Sequence, residues 1–162
     1  MEAITAREGE IATHSNQGTV KVFAKTIEVK TSERLDLINL TDEICAFVEA
    51  TEVTDGQIQI SVLHTTAGIF INEWQDALLT DMKAIIEKVV PQSLDYKHNV
   101  YPELSDCDKN NAHSHLRNVV LGHSLSVPIS QGKLVLGQWQ RIIFSEFDGP
   151  NQRKVFLQVF GI

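Results

Sequence analysis

Cysteine is scarce in this chain: Cys45 and Cys107 are the only two among 162 residues. They lie far apart and in unlike surroundings, Cys45 in an apolar pattern of helical period and Cys107 in a polar loop, so no disulfide framework follows from them. Cys45 reads as a small buried hydrophobe and Cys107 as a surface thiol. Long apolar runs are also missing. None approaches the roughly 20 residues needed to span a bilayer. The opening MEAITAREGE lacks the basic segment and apolar core of a signal peptide. A cytoplasmic protein without a membrane partner is expected. Basic residues are outnumbered, 14 Lys and Arg against 21 Asp and Glu, for a formal charge of −7. That balance argues against nucleic acid as a partner, because neutralising a phosphate backbone needs clustered cations. It leaves room for a phosphorylated small molecule, which needs only a few local donors. Neither HExxH nor CxxC occurs, so no metal site can be read from spacing. No Ser or Cys stands beside an evident base, which places covalent catalysis last among the mechanisms considered.

What the chain does contain is an ordinary globular composition, 43% hydrophobic and 22% charged. A chain of this length buries roughly 70% of the surface its unfolded form exposes. Residues 1–17 are polar and without period and read as a flexible arm; residues 18–162 read as one domain. From Val20 to Val29, β-branched residues in partial alternation predict a strand. Thr41 predicts an N-cap, with Asp42 and Glu43 in the first turn of a helix that runs to Ala50 and carries the stripe Ile44, Phe47, Val48. QIQISVL, residues 57–63, predicts a strand that delivers His64 and Thr65 into a turn. Gly68 there permits a positive φ or a close approach, and Ile69 and Ile71 resume an extended segment ending in Asn72 and Glu73. From Gln75 to Val90 the positions Leu78, Leu79, Met82, Ile85, Ile86 and Val89 predict a helix that Pro91 stops. A polar loop over 92–110 precedes a short helix capped by Asn110 or Asn111 and ending near Gly122. Three or four closely spaced strands follow, with turns at Gly132 and Gly149-Pro150. Helices and strands without regular βα alternation predict an α+β fold, a mixed or antiparallel sheet with about three helices.

Chemistry-bearing residues collect at the ends of these elements. His64, His98, His113 and His115 lie in or beside loops, where histidine serves as acid, base, metal ligand or hydrogen-bonding spacer. His113 and His115 stand two apart, so a helix sends them to nearly opposite faces. The helix opening near Asn111 is a generic anion site. Gln138 and Gln140 alternate with Trp139 on an expected strand, and Gln140 and Glu146 either line a cleft or face solvent. Asp81 borders the apolar stripe of its helix, as a solvated flank or a site residue. Trp74 and Trp139 read as packing residues. Arg153 has a fork that matches phosphate, with a solvent-exposed arginine as the alternative.

HTTAGIFINE, Asp81, YKH ending at His98, NAHSHL, LGHSLSVPI and LGQWQRIIFSEFDGP, in this order, resemble the YjbQ family over about Val20 to Ile162. The resemblance implies a small α+β homotrimer with a pocket near subunit boundaries. It also implies a secondary thiamine-phosphate synthase activity, joining hydroxymethylpyrimidine diphosphate to a thiazole phosphate with release of diphosphate. By position, the family's motif histidines match His64, His98 and His115, and its acids and amides match Asn72, Glu73, Asp81, Gln140 and Glu146; His113 falls outside the pattern. Where the family often has an arginine after the Gly-Pro turn, this chain has Asn151, which leaves Arg153 as the phosphate candidate. The expected assignments are His64, His98, His115 and Glu146 as catalytic and Thr65, Asn72, Gln140 and Arg153 as substrate-binding. A divalent metal (Mg, Mn or Zn) would be held by His64, His98, His115, Glu73 and Asp81. Two further readings stand beside this one: a metal- or metabolite-binding module, and a metal-assisted hydrolase of a small phosphorylated compound.

Overall fold

A computed structural model describes residues 17–101 and 110–162. Most of the expected N-terminal arm, and Cys107, lie outside the described residues. The elements run β1 (Lys21–Lys30), β2 (Asp36–Asn39), α1 (Thr41–Ala50), β3 (Gly56–Val62), β4 (Ala67–Asn72), α2 (Asp76–Val89) and α3 (Lys97–Val100). They continue with α4 (Ala112–Leu121), β5 (Ser124–Ser130), β6 (Lys133–Leu134), β7 (Arg141–Glu146) and β8 (Gln152–Gly161).

The strands form two sheets, one of five strands in the order β1-β8-β3-β5-β6 and one of three in the order β2-β7-β4. Every pairing is antiparallel. The fold is thus α+β, as the absence of βα alternation predicts, with four helices among the described residues rather than the expected three or so. Strict alternation builds the core. Ile58, Ile60 and Val62 of β3, with Val155, Leu157 and Val159 of β8, turn one face of the large sheet inward. They meet Ile69 of β4, Ile142 and Phe144 of β7, and Ile44 and Val48 of α1. On the other side of the small sheet, Ile143 and Leu37 pack with Met82 of α2 and with Trp74, Leu78 and Leu79. The outer face of the large sheet carries Val22, Ala24 and Thr26 beside Phe156, Gln158 and Phe160, and then Gln57, Gln59 and Ser61. None of these is charged, whereas the other end of the same face carries Glu28, Lys30 and Lys154.

Several local expectations change. Leu40, not Thr41, is the cap of α1; Thr41 is the first helical residue, and its hydroxyl donates to Asn39 Oδ1 at 2.6 Å and accepts the Ile142 N–H at 2.9 Å. Asn39 therefore takes up the hydroxyl that was expected to cap the helix. Gln75 caps α2 with its side-chain oxygen, which accepts from Leu78 N at 2.8 Å. In α2 only Met82 and Ile86 are buried, whereas Ile85 and Val89 are exposed. Helical period places the stripe correctly, but the small sheet is too narrow to cover its full width. Gln138, Trp139 and Gln140 lie outside any strand, in the connection before β7, where Gln140 Oε1 accepts the Gly137 N–H at 2.7 Å. Trp139 is exposed there rather than packed. Cys45 is half-buried on α1.

Gly68 answers the choice left by its sequence. It does not use positive φ. It permits close approach: a Cβ there would sit 2.7 Å from the Gly122 carbonyl oxygen and 3.3 Å from the Phe147 ring. The same carbonyl accepts the Ile69 N–H at 3.2 Å, which seats the end of α4 on β4. Gly68→Ala is expected to cost about 1–3 kcal/mol through overpacking, read as a lowered urea midpoint.

Candidate functional site

The register of the small sheet separates the predicted residues into two groups. Ala67 pairs with Glu146 and Asn72 with Arg141. His64, Thr65 and Glu146 thus lie at one end of β4 and Asn72, Glu73 and Gln140 at the other, about 17 Å apart at the usual strand rise. Asp81 is on the exposed side of α2. Within one chain these two groups do not meet. The five residues expected to hold a metal are split by this separation, and among the described residues no three of His, Cys, Asp and Glu are arranged to hold an ion.

The first group forms a site. Beyond β3, Leu63 N donates to the Lys154 carbonyl at 3.0 Å, and Lys154 N in turn donates to His64 Nε2 at 2.8 Å. The imidazole takes the place that a carbonyl would occupy in the strand ladder. Nε2 is therefore an acceptor, and the proton of the neutral ring sits on Nδ1. Burial, followed by the Arg153 charge, pulls the His64 pKa down, with Glu146 opposing. His64 is built as a neutral hydrogen-bond donor.

Glu146 and Arg153 lie behind it. Glu146 is fully buried, and Arg153 is 8% exposed. Arg153 Nε donates to Glu146 Oε2 and Nη2 to Oε1, both at 2.6 Å. The Phe147 and Asp148 amides donate to Oε1 at 3.0 and 2.9 Å, and the Thr31 hydroxyl reaches Oε2 at 3.2 Å. This carboxylate is saturated with donors and fully buried, so Glu146, expected among the catalytic residues, does not line the cleft. Arg153 is neither solvent-exposed nor an unpaired cation. Its Nη2 also donates to Thr66 Oγ1 at 3.1 Å, which leaves Nη1 without a partner among the described residues.

The opposite wall comes from α3 and α4. Asn111, at the cap of α4, donates from Nδ2 to Asp148 Oδ2 at 2.8 Å, so its Oδ1 faces His98 Nε2 at 3.3 Å. Orienting the amide this way makes His98 Nε2 the donor of that pair. The Ala112 N–H, one of the donors expected to hold an anion, is already taken by Asn99 Oδ1 at 3.0 Å. The His98 ring stands edge to face with His115, centroids 5.2 Å apart. The His115 imidazole makes no hydrogen bond among the described residues; burial lowers its pKa, helped by His98 and opposed by Asp148. As helical spacing predicts, His113 turns away from this wall and is fully buried.

Together Leu63, His64, Thr65, Thr66, Asn111, His115, Asp148 and Arg153 line an open cleft of about 410 Å³. Its chemistry is that of several aimed donors on a nearly neutral background. A second cleft between α2 and α4, lined by Ile85, Ile86, Val89, Val90, Arg117, Val120 and Leu121, is apolar and offers little to orient a charged ligand. Sequence reasoning missed Thr66, Asn111's link to Asp148, and Asp148 itself. Only the Asp-Gly-Pro turn hinted at Asp148, through the tendency of sites to fall on loops.

Two outcomes follow. Arg153→Met, which strands a buried carboxylate, is expected to cost about 3–5 kcal/mol in urea unfolding, with Arg153→Lys intermediate because it keeps charge without the fork. His64, His113 and His115 all have pKa values lowered in the fold, chiefly by burial. The unfolded chain then binds more protons than the native one, so stability falls as pH drops through about 6.5, the unfolded histidine value. A melting temperature that stays level between about pH 8 and 5.5 would contradict this.

The family model described as UPF0047 protein YjbQ-like matches residues 25–162. A UPF0047 protein of Methanothermobacter thermautotrophicus is 37% identical over 142 residues, covering 88% of this chain and 94% of that protein. Another, from Archaeoglobus fulgidus, is 40% identical over 132 residues, covering 82% and 97%. The crystal structure of a YbjQ-like protein of unknown function from Sulfolobus solfataricus superposes with a TM-score of 0.83 at 33% identity, covering 89% of this chain and all of that one. With the fold and the histidine cleft in place, these matches show that the chain belongs to the YjbQ-like UPF0047 family.

Proposed function

We propose that this chain is a cytoplasmic transferase acting on small phosphorylated metabolites at the cleft of His64 and His115. The reaction that fits best is thiamine-phosphate synthesis. The observation carrying this reading is that His64, His115, Thr65, Thr66 and Arg153 share one cleft. In that reaction the bond between the pyrimidine methylene carbon and the diphosphate oxygen breaks, and the oxygen leaves with the electron pair. The thiazole nitrogen lone pair forms the new carbon–nitrogen bond. Breaking the first bond is the difficult part, since negative charge grows on the leaving oxygen. The Nδ1–H of His64 and the remaining Arg153 nitrogen supply donors for it, with Thr65 and Thr66 beside them. His115 faces the same space and orients the substrate. No step is assigned to a metal, because the proposed ligands do not form a set within one chain.

A homotrimer is part of the reading. One end of the outer face of the large sheet, from Val22 to Thr26 with Phe156, Phe160 and their neighbours on β3, is free of charge and supports self-association, because an antiparallel sheet facing water ordinarily carries charge on that side. Asn72, Glu73 and Gln140 can contribute to a cleft only if another copy supplies them.

Separate His64→Ala and His115→Ala substitutions are expected to abolish product formation from the two substrates while circular dichroism and oligomeric mass stay unchanged. Wild-type turnover in either variant would end the assignment. Light scattering is expected to give three chains per particle. The hydrolase alternative predicts phosphate release from a broad panel of phosphorylated compounds without the second substrate. The binding-module alternative predicts stoichiometric metal in protein purified without added metal, and no turnover.

A further inference from the structure

Arg34 belongs to none of the groups read from the sequence, yet the fold mounts it firmly beside the cleft. It lies in the connection between β1 and β2. The Asp36 carboxylate holds that connection from within, its Oδ2 accepting Ser32 N at 2.9 Å and the Ser32 hydroxyl at 3.1 Å. Lys83 of α2 pairs with Glu33 at 2.7 Å. The Arg34 carbonyl accepts the Gly149 N–H at 3.1 Å, and a Cβ on Gly149 would come within 2.0 Å of the Glu33 carbonyl oxygen. Only glycine allows this loop to press so closely on the turn that follows Glu146.

The Arg34 side chain is 45% exposed and loosely held. Its Nη2 lies 3.4 Å from the Asn110 carbonyl and 3.7 Å from Asp148 Oδ1, both long contacts that leave most of the guanidinium's donors open. Arg34, Gln92, Asn110, Asn111 and Asp148 line a cleft of about 360 Å³. Asn111 and Asp148 belong to this cleft and to that of His64 and His115, so the two compartments adjoin. Each holds an arginine beside a carboxylate, but the pairing differs in closeness, 2.6 Å for Arg153 with Glu146 and 3.7 Å for Arg34 with Asp148. In the histidine cleft Glu146 neutralises Arg153 through a bidentate pair. In the second compartment the opposing charge, Asp148, is only 14% exposed and already accepts from Asn111, while Arg34 reaches outward.

Resting on the two-substrate reading above, we infer that Arg34, with the amides of Gln92, Asn110 and Asn111, is a second anion subsite that takes the phosphate of the second substrate. The reaction joins two phosphorylated compounds, and the fold supplies two adjoining compartments with anion donors. Asp148 sits behind Arg34 as a counterweight, which keeps the affinity for a bare phosphate modest and lets product leave.

The test is an amide NMR titration of the full chain with inorganic phosphate, alongside Arg34→Gln and Arg34→Lys. Two separate groups of resonances are expected to shift, one around Thr65 and Thr66 and one around Arg34, Asn110 and Asn111. Arg34→Gln should weaken the second response about ten-fold or more, since it removes charged hydrogen bonds, leaving the first intact; Arg34→Lys should fall between. The exposed position makes a folding defect in either variant small, and unchanged melting checks this. Shifts confined to the Thr65 group, or a second group equal in wild type and Arg34→Gln, would overturn the subsite and leave the transferase reading standing. No shift in either group would overturn both. In turnover, Arg34→Gln should raise the KM of one substrate and leave that of the other near wild type; a change in kcat alone would place Arg34 outside binding and overturn the inference.

Discussion

The buried pair of Glu146 and Arg153 anchors the site end of the molecule. A carboxylate taken fully out of water is costly unless its lone pairs are filled. Here the guanidinium fork, two backbone amides and the Thr31 hydroxyl fill them. Glu146 ends β7 in the small sheet, and Arg153 lies on β8 in the large one. The pair therefore clamps the two sheets together at the end where the cleft opens. Thr31 and Thr66 are held to the same pair, which fixes the start of the β1–β2 connection and the turn carrying His64. Where ligand-facing groups need exact placement, such a clamp gives rigidity that loops alone lack.

Given that clamp, the polar groups of the cleft have little freedom. His64 answers a backbone N–H and so presents a donor outward. Asn111 cannot rotate its amide without losing Asp148, and it thereby sets which nitrogen of His98 carries a proton. His115 is left without such a bond, against the His98 ring. Three histidines that look interchangeable in sequence acquire different tasks through their neighbours. The same logic separates the two arginines near the cleft: Arg153 has its charge matched within the core, whereas Arg34 keeps donors turned to solvent.

Much of the fold is legible in the chain because its periods are clean. Alternation in 57–63 and 152–161 gives β3 and β8, and apolar spacing in 75–90 gives α2. Errors arise where a local pattern has no tertiary partner. Gln138-Trp139-Gln140 alternates like a strand, but no neighbouring strand pairs with it, so it remains a connection. Ile85 and Val89 continue the stripe of α2 past the edge of the sheet beneath it. At the site, His64, Thr65, His98 and His115 are legible as polar residues at element ends. Asn72, Glu73 and Gln140 share that appearance and are nonetheless placed about 17 Å away, one strand length along β4.

The sequence by itself determined most of the longer elements, the α+β class and the family, because side-chain period and ordered motifs are local properties; it did not mark the short β2 and α3. It also determined that His113 and His115 point apart, which follows from helical geometry alone. Only the tertiary structure decided which polar groups meet, which charges are matched, and which tautomer each matched histidine carries. Those depend on strand register and on hydrogen bonds between residues distant in the chain, as between His64 and Lys154 or Thr31 and Glu146. Arg34 shows the difference most plainly. Nothing beside it in the chain marks it, and the close packing of its loop on Gly149 is what brings it to the cleft.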